Sequence, residues 1–203
     1  LDKSYRCPER IFRLANTIIS KVSNRRQKTW SPKSEQGKVK RVTHLRHIDL
    51  TEGNWLILGR TKKIRNEMIE GHLKSLGMWY GRGEHRPISR TVLNAIYAWN
   101  RLQDNQTISY ADVQYIYNQI VAKGRLKRGA KTFTDEDKDK IYTLDILKKD
   151  HGLLVDGQWY EVMNKISEYD VAYIRRLLDL GEDLQKEPRI KTSTIHQAKG
   201  GEC

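Results

Sequence analysis

The chain has 203 residues, of which 37% are hydrophobic and 31% are charged, which suits one domain or one domain with a second inserted into it. No window approaches the roughly 18 consecutive apolar residues of a membrane span, and no secretory signal is present. Two cysteines without metal-ligand spacing favour a reduced, cytoplasmic protein with no metal site. The net charge of +13 favours a polyanionic partner, either nucleic acid or an acidic membrane face.

The first third of the chain predicts strand, helix and strand. An apolar stripe predicts a helix from Pro8 to about Asn24, and residues 38–44 form a weak strand candidate. The unbroken apolar run in residues 54–60 predicts a central strand that is covered on both faces. A helix capped by Thr61 and ended by Gly77 should follow, and residues 78–82 form a short strand candidate. This order is typical of the crossover unit of a parallel sheet.

Residues 87–187 predict a succession of helices. One covers residues 88–103, and the next begins at a capping box of Ser109 and Asp112 and ends at Gly124. A third is capped by Thr134 and has acidic residues in its first turn, which complement the helix dipole. A fourth runs from about Ser167 to Gly181, and strand character returns after residue 188. The predicted fold class is therefore α/β, with a parallel sheet interrupted by a mainly α-helical inserted subdomain.

Three segments carry a resemblance to a known family. Residues 1–16, LDKSYRCPERIFRLAN, look like motif IV of the UvrD/Rep/PcrA-like superfamily 1 DNA helicases, and residues 56–61, LILGRT, resemble their motif IVa. Residues 192–202, TSTIHQAKGGE, resemble motif V. The resemblance implies a second RecA-like domain in residues 1–86 and 188–203, interrupted by a mobile helical subdomain in residues 87–187.

The resemblance also implies roles for nucleotide-binding residues. Arg6 matches the motif IV arginine finger that reaches the γ-phosphate of ATP, where a guanidinium stabilises the transferring group. Glu202 matches the motif V glutamate that contacts the ribose, and Gly200 would let the backbone approach the nucleotide. Without the family context, Arg6 is better interpreted as a surface arginine just before a helix, and residues 200–201 can be interpreted as an ordinary turn.

The same resemblance implies contacts with DNA. Tyr5, Arg60, Thr194 and His196 match groups beside a single strand, where phosphate contacts and aromatic stacking hold the nucleic acid. The family usually has asparagine or serine at the position of Lys62, but a lysine could also meet phosphate. Tyr5 and His196 could instead be packing residues. Gly201 stands where the family usually has leucine, and Cys7 where serine or threonine often follows the arginine.

A cluster of five cations in the helical region is a second candidate for phosphate contact, in this case with duplex DNA ahead of a fork. It consists of Lys123, Arg125, Lys127, Arg128 and Lys131. The alternative is a solvated basic loop without a partner. The sequence favours neither interpretation over the other, and counterion release at a polyphosphate is the principle by which they are judged.

No phosphate loop of the form G-x-x-x-x-G-K-[ST] occurs in the chain. The expectation is therefore a fragment of an ATP-dependent helicase or translocase, moving 3′ to 5′, that does not hydrolyse ATP by itself. ATP and Mg²⁺ would be bound mostly by a first RecA-like domain outside this chain, and the partners would be single-stranded and forked DNA rather than a membrane. Two alternatives stay open: a non-catalytic nucleic-acid-binding module with a helicase-like fold, and the helicase part of a RecB-like repair nuclease.

Overall fold

Small parallel sheets and helices alternate along the chain, so the predicted mixed α/β class is confirmed at that level. The computed structural model describes residues 3–26 and 30–199, apart from the Arg6 side chain. The chain divides into two compact units, Leu1–Asp49 and Leu50–Cys203. The division into a first segment, an insertion and a returning segment stays a prediction.

The first unit contains one short parallel pair and one long helix. Strand β1 (Lys3–Pro8) pairs in parallel with β2 (Ser31–Lys33), and α1 (Glu9–Ile19) follows β1 directly. The helix ends five residues before the predicted position. The predicted strand at residues 38–44 is wrong, because this described segment has no strand structure. Its two valines lie among cations and bury too little apolar surface to hold a strand, and Val39 is 47% exposed.

The second unit is built on a three-stranded parallel sheet. Its strands are β3 (Trp55–Gly59), β4 (Tyr80–Gly81) and β7 (Ile190–Thr194), in the order β3–β7–β4. The last strand of the chain thus lies between two early ones, with Trp55 opposite Ile190 and Gly59 opposite Thr194. The predicted parallel arrangement of β3 and β4 and the predicted return to strand structure are both confirmed.

The prediction that β3 is a central strand covered on both faces is wrong. In the described sheet β3 lies at the edge, and Leu56 and Leu58 are 38% and 42% exposed. These two side chains point to one face of the sheet. The side chain of Ile57 points to the other face, which the following helix covers at Gly59. The apolar run therefore places hydrophobic side chains on both faces of β3, but only one of the two faces is covered.

The segment after β3 is helical as predicted, but its first part is a π-helix (Ile64–Glu70), followed by α2 (Gly71–Ser75). Thr61 caps it, since its Oγ1 accepts a hydrogen bond of 3.2 Å from the Ile64 amide. Gly77 ends it at φ +70°, where the amides of Gly77 and Met78 donate to the two preceding orphan carbonyls of α2. Both predicted boundaries are confirmed, and the π turn was not predicted.

The predicted helices at both ends of the helical region are confirmed. They are α3 (Arg90–Gln103), α4 (Tyr110–Asn118) and α7 (Glu168–Asp179), which share one core. Ser89, Ser109 and Ser167 each accept a hydrogen bond from an amide of the first turn that they cap. The largest fully buried side chains of this core include Trp99, Tyr117, Tyr142, Ile96 and Leu147.

Other parts of the helical region differ from the prediction. Helix α4 ends at Asn118 rather than at Gly124, and the helix predicted after Thr134 is a short 3-10 helix (Asp135–Asp139). The sequence did not predict α5 (Leu144–Lys149), α6 (Trp159–Val162) or the antiparallel pair of β5 (Ile108–Ser109) and β6 (Ile141–Tyr142). These elements are four residues or fewer, apart from α5, and too short for a periodic pattern.

After β7 the chain forms one last short helix, α8 (Ile195–Ala198), where the sequence predicted a loop. Within residues 3–26 and 30–199, no helix is long and apolar enough to cross a membrane.

Candidate functional site

Two of the motif-like segments follow the carboxyl ends of β3 and β7. Because the two strands are parallel, both segments lie along the same border of the sheet, where its strands end. Because Gly59 lies opposite Thr194 in the parallel pair, Arg60 and His196 follow neighbouring strands that are about 4.8 Å apart. Ligands of α/β proteins usually bind outside the carboxyl ends of parallel strands. The structure therefore joins segments that are more than 130 residues apart in the chain.

This edge carries four exposed cationic side chains and one exposed imidazole. We call the residues Arg60, Lys62, Lys63, His196 and Lys199 the basic edge, and all five are exposed. Among the described residues, no hydrogen bond or ion pair occupies their side chains. Arg60, Lys62 and His196 were predicted as DNA contacts, whereas Lys63 and Lys199 were not assigned a role. Unpaired guanidinium and ammonium groups at a strand end are suited to contacts with phosphate oxygens.

Thr194, also a predicted DNA contact, has a structural task in the described chain. It is 5% exposed, its hydroxyl accepts a hydrogen bond of 3.2 Å from the Gln197 amide, and it donates one of 3.1 Å to Gln197 Oε1. The hydroxyl therefore caps α8 and sets the turn that carries His196. Its contact with DNA stays a prediction.

Beneath the basic edge lies a buried polar cluster that the sequence did not reveal. Arg65 is 3% exposed and Glu70 7%, and Arg65 Nε lies 3.3 Å from Glu70 Oε1. The same carboxylate oxygen accepts a hydrogen bond of 2.7 Å from the buried hydroxyl of Thr192 on β7. Burial, with Glu70 as a second cause, raises the pKa of the neighbouring Tyr80 to about 12. The one feature of the sequence that could have indicated this cluster is the pair of opposite charges, Arg65 and Glu70, five residues apart in a helix predicted to be amphipathic.

The approach of β3 to the π-helix requires a residue without a side chain at position 59. A Cβ atom at Gly59 would lie 2.9 Å from the amide nitrogen of Arg65 and 3.1 Å from its Cα. These are backbone atoms and cannot rotate away. Gly59 therefore allows the close packing that places Arg65 under the end of the strand.

A cleft of about 560 Å³ lies along the sheet beside β3 and β7. Its lining includes Leu56, Lys191, Ser193, Pro188 and Ala198. Lys191 and Ser193 lie opposite Leu56 and Leu58 in the register of β3 and β7, so the open face combines apolar and cationic groups.

The side chains predicted to contact nucleotide lie outside the described parts of the structure. Arg6 lies on β1, but its side chain is outside the described parts, as are Gly200 and Glu202. Tyr5, on the same strand, is 71% exposed, and Lys3 Nζ lies 5.7 Å from the centre of its ring. Within residues 3–26 and 30–199, no group of three His, Cys, Asp or Glu side chains could hold a metal ion. The ATP and Mg²⁺ contacts therefore stay predictions.

Two of the five cations of the predicted basic cluster are used inside the fold. Lys131 Nζ donates to the carbonyls of Tyr117 and Ile120 at 2.6 and 3.1 Å, and burial lowers its pKa, with Lys165 as a second cause. Arg125 donates to the Glu161 carbonyl at 2.5 Å.

The other three cations of this cluster, Lys123, Lys127 and Arg128, are exposed, and among the described residues their side chains make no hydrogen bond or ion pair. We call them the outer loop cations. They are the members of the cluster that remain available to a polyanion.

Comparisons of the chain with protein-family models, with curated proteins and with solved structures found no match.

Proposed function

We propose that this chain is part of an ATP-dependent superfamily 1-like DNA helicase or translocase and that its basic edge contacts single-stranded DNA. The proposal combines the resemblance of three segments to helicase motifs with one observation. Two of those segments end at the same sheet edge and present exposed cations there. A RecA-like identity of the sheet is part of the proposal.

In this proposal Arg60 and Lys62 bind phosphates of the strand, and His196 meets the backbone from the neighbouring turn. Phosphate contacts by cations release counterions, so affinity should fall as salt rises, with little dependence on base sequence. In the complete motor, Arg6 would stabilise charge on the transferring phosphate, and Glu202 would contact the ribose. Motif V would then carry both a DNA contact and a nucleotide contact, through which nucleotide state could change the grip on DNA.

The direct test is binding of fluorescein-labelled oligo(dT) to the chain, measured by anisotropy over a range of salt concentrations. Replacing Arg60 and Lys62 by alanine should weaken binding and reduce the slope of log K against log salt by about 1.4, or about 0.7 for each lost phosphate contact. The matched control replaces Arg90 and Lys149, two exposed cations of α3 and α5. Equal losses in both double variants would refute a specific role for the basic edge.

ATP turnover separates a motor from a non-catalytic DNA-binding module. In the full-length protein, turnover stimulated by single-stranded DNA should fall on the order of a thousandfold in Arg6→Ala if that residue is the arginine finger. Normal turnover in the variant would remove this role from Arg6, and a full-length protein without turnover would favour the binding module.

A further inference from the structure

The π-helix brings two oppositely charged residues onto one buried face. Arg65 and Glu70 are five residues apart, which in an α-helix would turn their side chains about 140° away from each other. In a π-helix the hydrogen bond runs between residues five apart, so the two positions lie one above the other. The side chains of both residues are less than a tenth exposed and their charged atoms are 3.3 Å apart. Such π turns are often found at functional sites.

The buried pair connects the π-helix to two other parts of the structure, α8 and β7. Its Nε and Nη2 donate to Asn66 Oδ1 at 3.1 and 2.8 Å, and its Nη1 donates to Gln197 Oε1 at 3.0 Å. Glu70 meanwhile accepts from Thr192. The charged pair is therefore attached to β7 at one point and to α8 at another. A lysine could not reach these acceptors together, because its single ammonium group lacks the planar fork of arginine.

The short helix α8 depends on such outside contacts. A helix of four residues has little stability of its own, since nucleation costs more than its few hydrogen bonds return. Three hydrogen bonds to Gln197 hold it: two with the Thr194 hydroxyl and one from Arg65. His196 is the residue directly before Gln197. Its direction at the basic edge therefore follows from how Gln197 is held.

We infer that Arg65 and Glu70 are positioning residues that fix α8 and thereby orient His196 at the basic edge. The step from α8 to DNA affinity rests on the proposed function, whereas the step from Arg65 to α8 does not. The pair touches no proposed ligand; Glu70 reaches β7 through Thr192, and Arg65 reaches α8 through Gln197.

The experiment measures amide hydrogen exchange across α8 together with oligo(dT) affinity in Arg65→Lys, with exposed Arg90→Lys as the matched control. Both substitutions keep the net charge. In Arg65→Lys, exchange at residues 195–199 should rise on the order of tenfold, while exchange in α3 and α4 should not change. Oligo(dT) affinity should fall several-fold, because His196 would no longer be held in one orientation.

A second variant avoids disturbing the buried charge. Gln197→Met has a similar length but no acceptor, so it should raise exchange across α8 as Arg65→Lys does. Gln197→Glu keeps the acceptor and should retain slow exchange. Combining Arg65→Lys with Gln197→Met should add little to either alone, because both break the same bond.

Unchanged exchange across α8 in both variants would overturn the inference, and so would an equal increase throughout the second unit, which would indicate a general loss of stability. If the wild-type chain does not bind oligo(dT), the proposed function fails. The exchange measurement would still decide whether Arg65 holds α8.

Discussion

At the scale of single residues, Gly59 allows β3 to pack closely against the π-helix that carries the buried polar cluster. The Gly59 Cα faces the backbone of Arg65, so its missing side chain permits the contact that brings the buried cluster under the sheet edge. Gly71, six residues after Arg65, has different surroundings. A Cβ there would meet only the Asn66 carbonyl oxygen, at an ordinary distance of 3.7 Å.

The two glycines therefore predict opposite effects of the same substitution. Gly59→Ala should lower the free energy of unfolding by about 1–3 kcal/mol through overpacking. Gly71→Ala should leave it unchanged or raise it by up to about 1 kcal/mol, since alanine is the better helix former. Urea unfolding followed by tryptophan fluorescence measures both. A loss in Gly71→Ala as large as in Gly59→Ala would contradict the steric explanation.

Asp137 predicts a pH dependence of stability. Its Oδ2 accepts hydrogen bonds from the amide and hydroxyl of Thr134 at 2.8 and 2.9 Å, and Lys140 Nζ lies 3.0 Å from Oδ1. The Thr134 amide first, and then the Lys140 ammonium and the Thr134 hydroxyl, lower the pKa of Asp137 to about 2. Since an unfolded aspartate has a pKa of about 3.9, this contribution is present above about pH 4 and is lost as the pH falls towards 2.

Asp137→Asn should therefore melt at a lower temperature than the wild type at pH 5, and the difference should shrink between pH 4 and pH 2.5. Thermal unfolding by circular dichroism over this range provides the measurement. Asp139→Asn, on the same 3-10 helix, removes a carboxylate without removing the contacts of Thr134 and Lys140, and serves as the control. A difference between wild type and Asp137→Asn that stays constant with pH would show that the depressed pKa does not contribute.

At the scale of elements, the helices of the second unit begin and end where local side chains satisfy their free backbone groups. In α4, Ser109 Oγ accepts from the Asp112 amide at 3.3 Å, and Asp112 Oδ2 accepts from the Ser109 amide at 3.1 Å. Arg101 Nη2 lies 2.7 Å from the same carboxylate oxygen and ties α3 to this turn. The capping box thus joins two helices as well as starting one.

Ser109→Ala should cost about 1 kcal/mol of unfolding free energy, because it leaves the Asp112 amide without its acceptor. Ser75→Ala, which removes an exposed hydroxyl at the end of α2, is the matched control and should cost less than about 0.5 kcal/mol. Chemical denaturation of the two variants under identical conditions compares them. Equal costs would show that the cap contributes no more than an ordinary surface hydroxyl.

At the scale of the whole molecule, the net charge of +13 is not equally available. Arg65, Arg125 and Lys131 donate hydrogen bonds to groups of the fold, whereas the side chains of the basic edge and of the outer loop cations have no such partner among the described residues. The basic edge and the outer loop cations are therefore two groups of unpaired cations on the second unit that a polyanion could meet. The first is proposed for single strands, and the second was predicted to meet duplex DNA.

Replacing the three outer loop cations by alanine should weaken binding of a labelled duplex and reduce its salt slope by up to about 2.7, or about 0.9 for each lost contact. Thermal stability should not change. Lys131→Ala should instead lower thermal stability, because it leaves two carbonyls at the end of α4 without their donor. An unchanged salt slope in the triple variant would remove the loop from the DNA-binding surface.

Signals within a few residues predicted much of the second unit. The caps at Thr61, Ser109 and Ser167 and the helix ends at Gly77 and Gly181 are all local, since each depends on hydrogen bonds between residues two to six apart. The strands β3 and β7 were also visible as short apolar or alternating runs. The π turn was missed because its amphipathic pattern resembles that of an α-helix.

The sequence by itself determined the basic charge, the mixed α/β class and the capped starts of the longer helices of the second unit, because composition and local hydrogen bonding carry that information. Only the tertiary structure decided that β7 lies between β3 and β4 and that Arg65 reaches Gln197, 132 residues away. It also decided that Lys131 and Thr194 are engaged inside the fold. Contacts between distant segments depend on how the elements pack together, and neither periodicity nor capping patterns specify that packing.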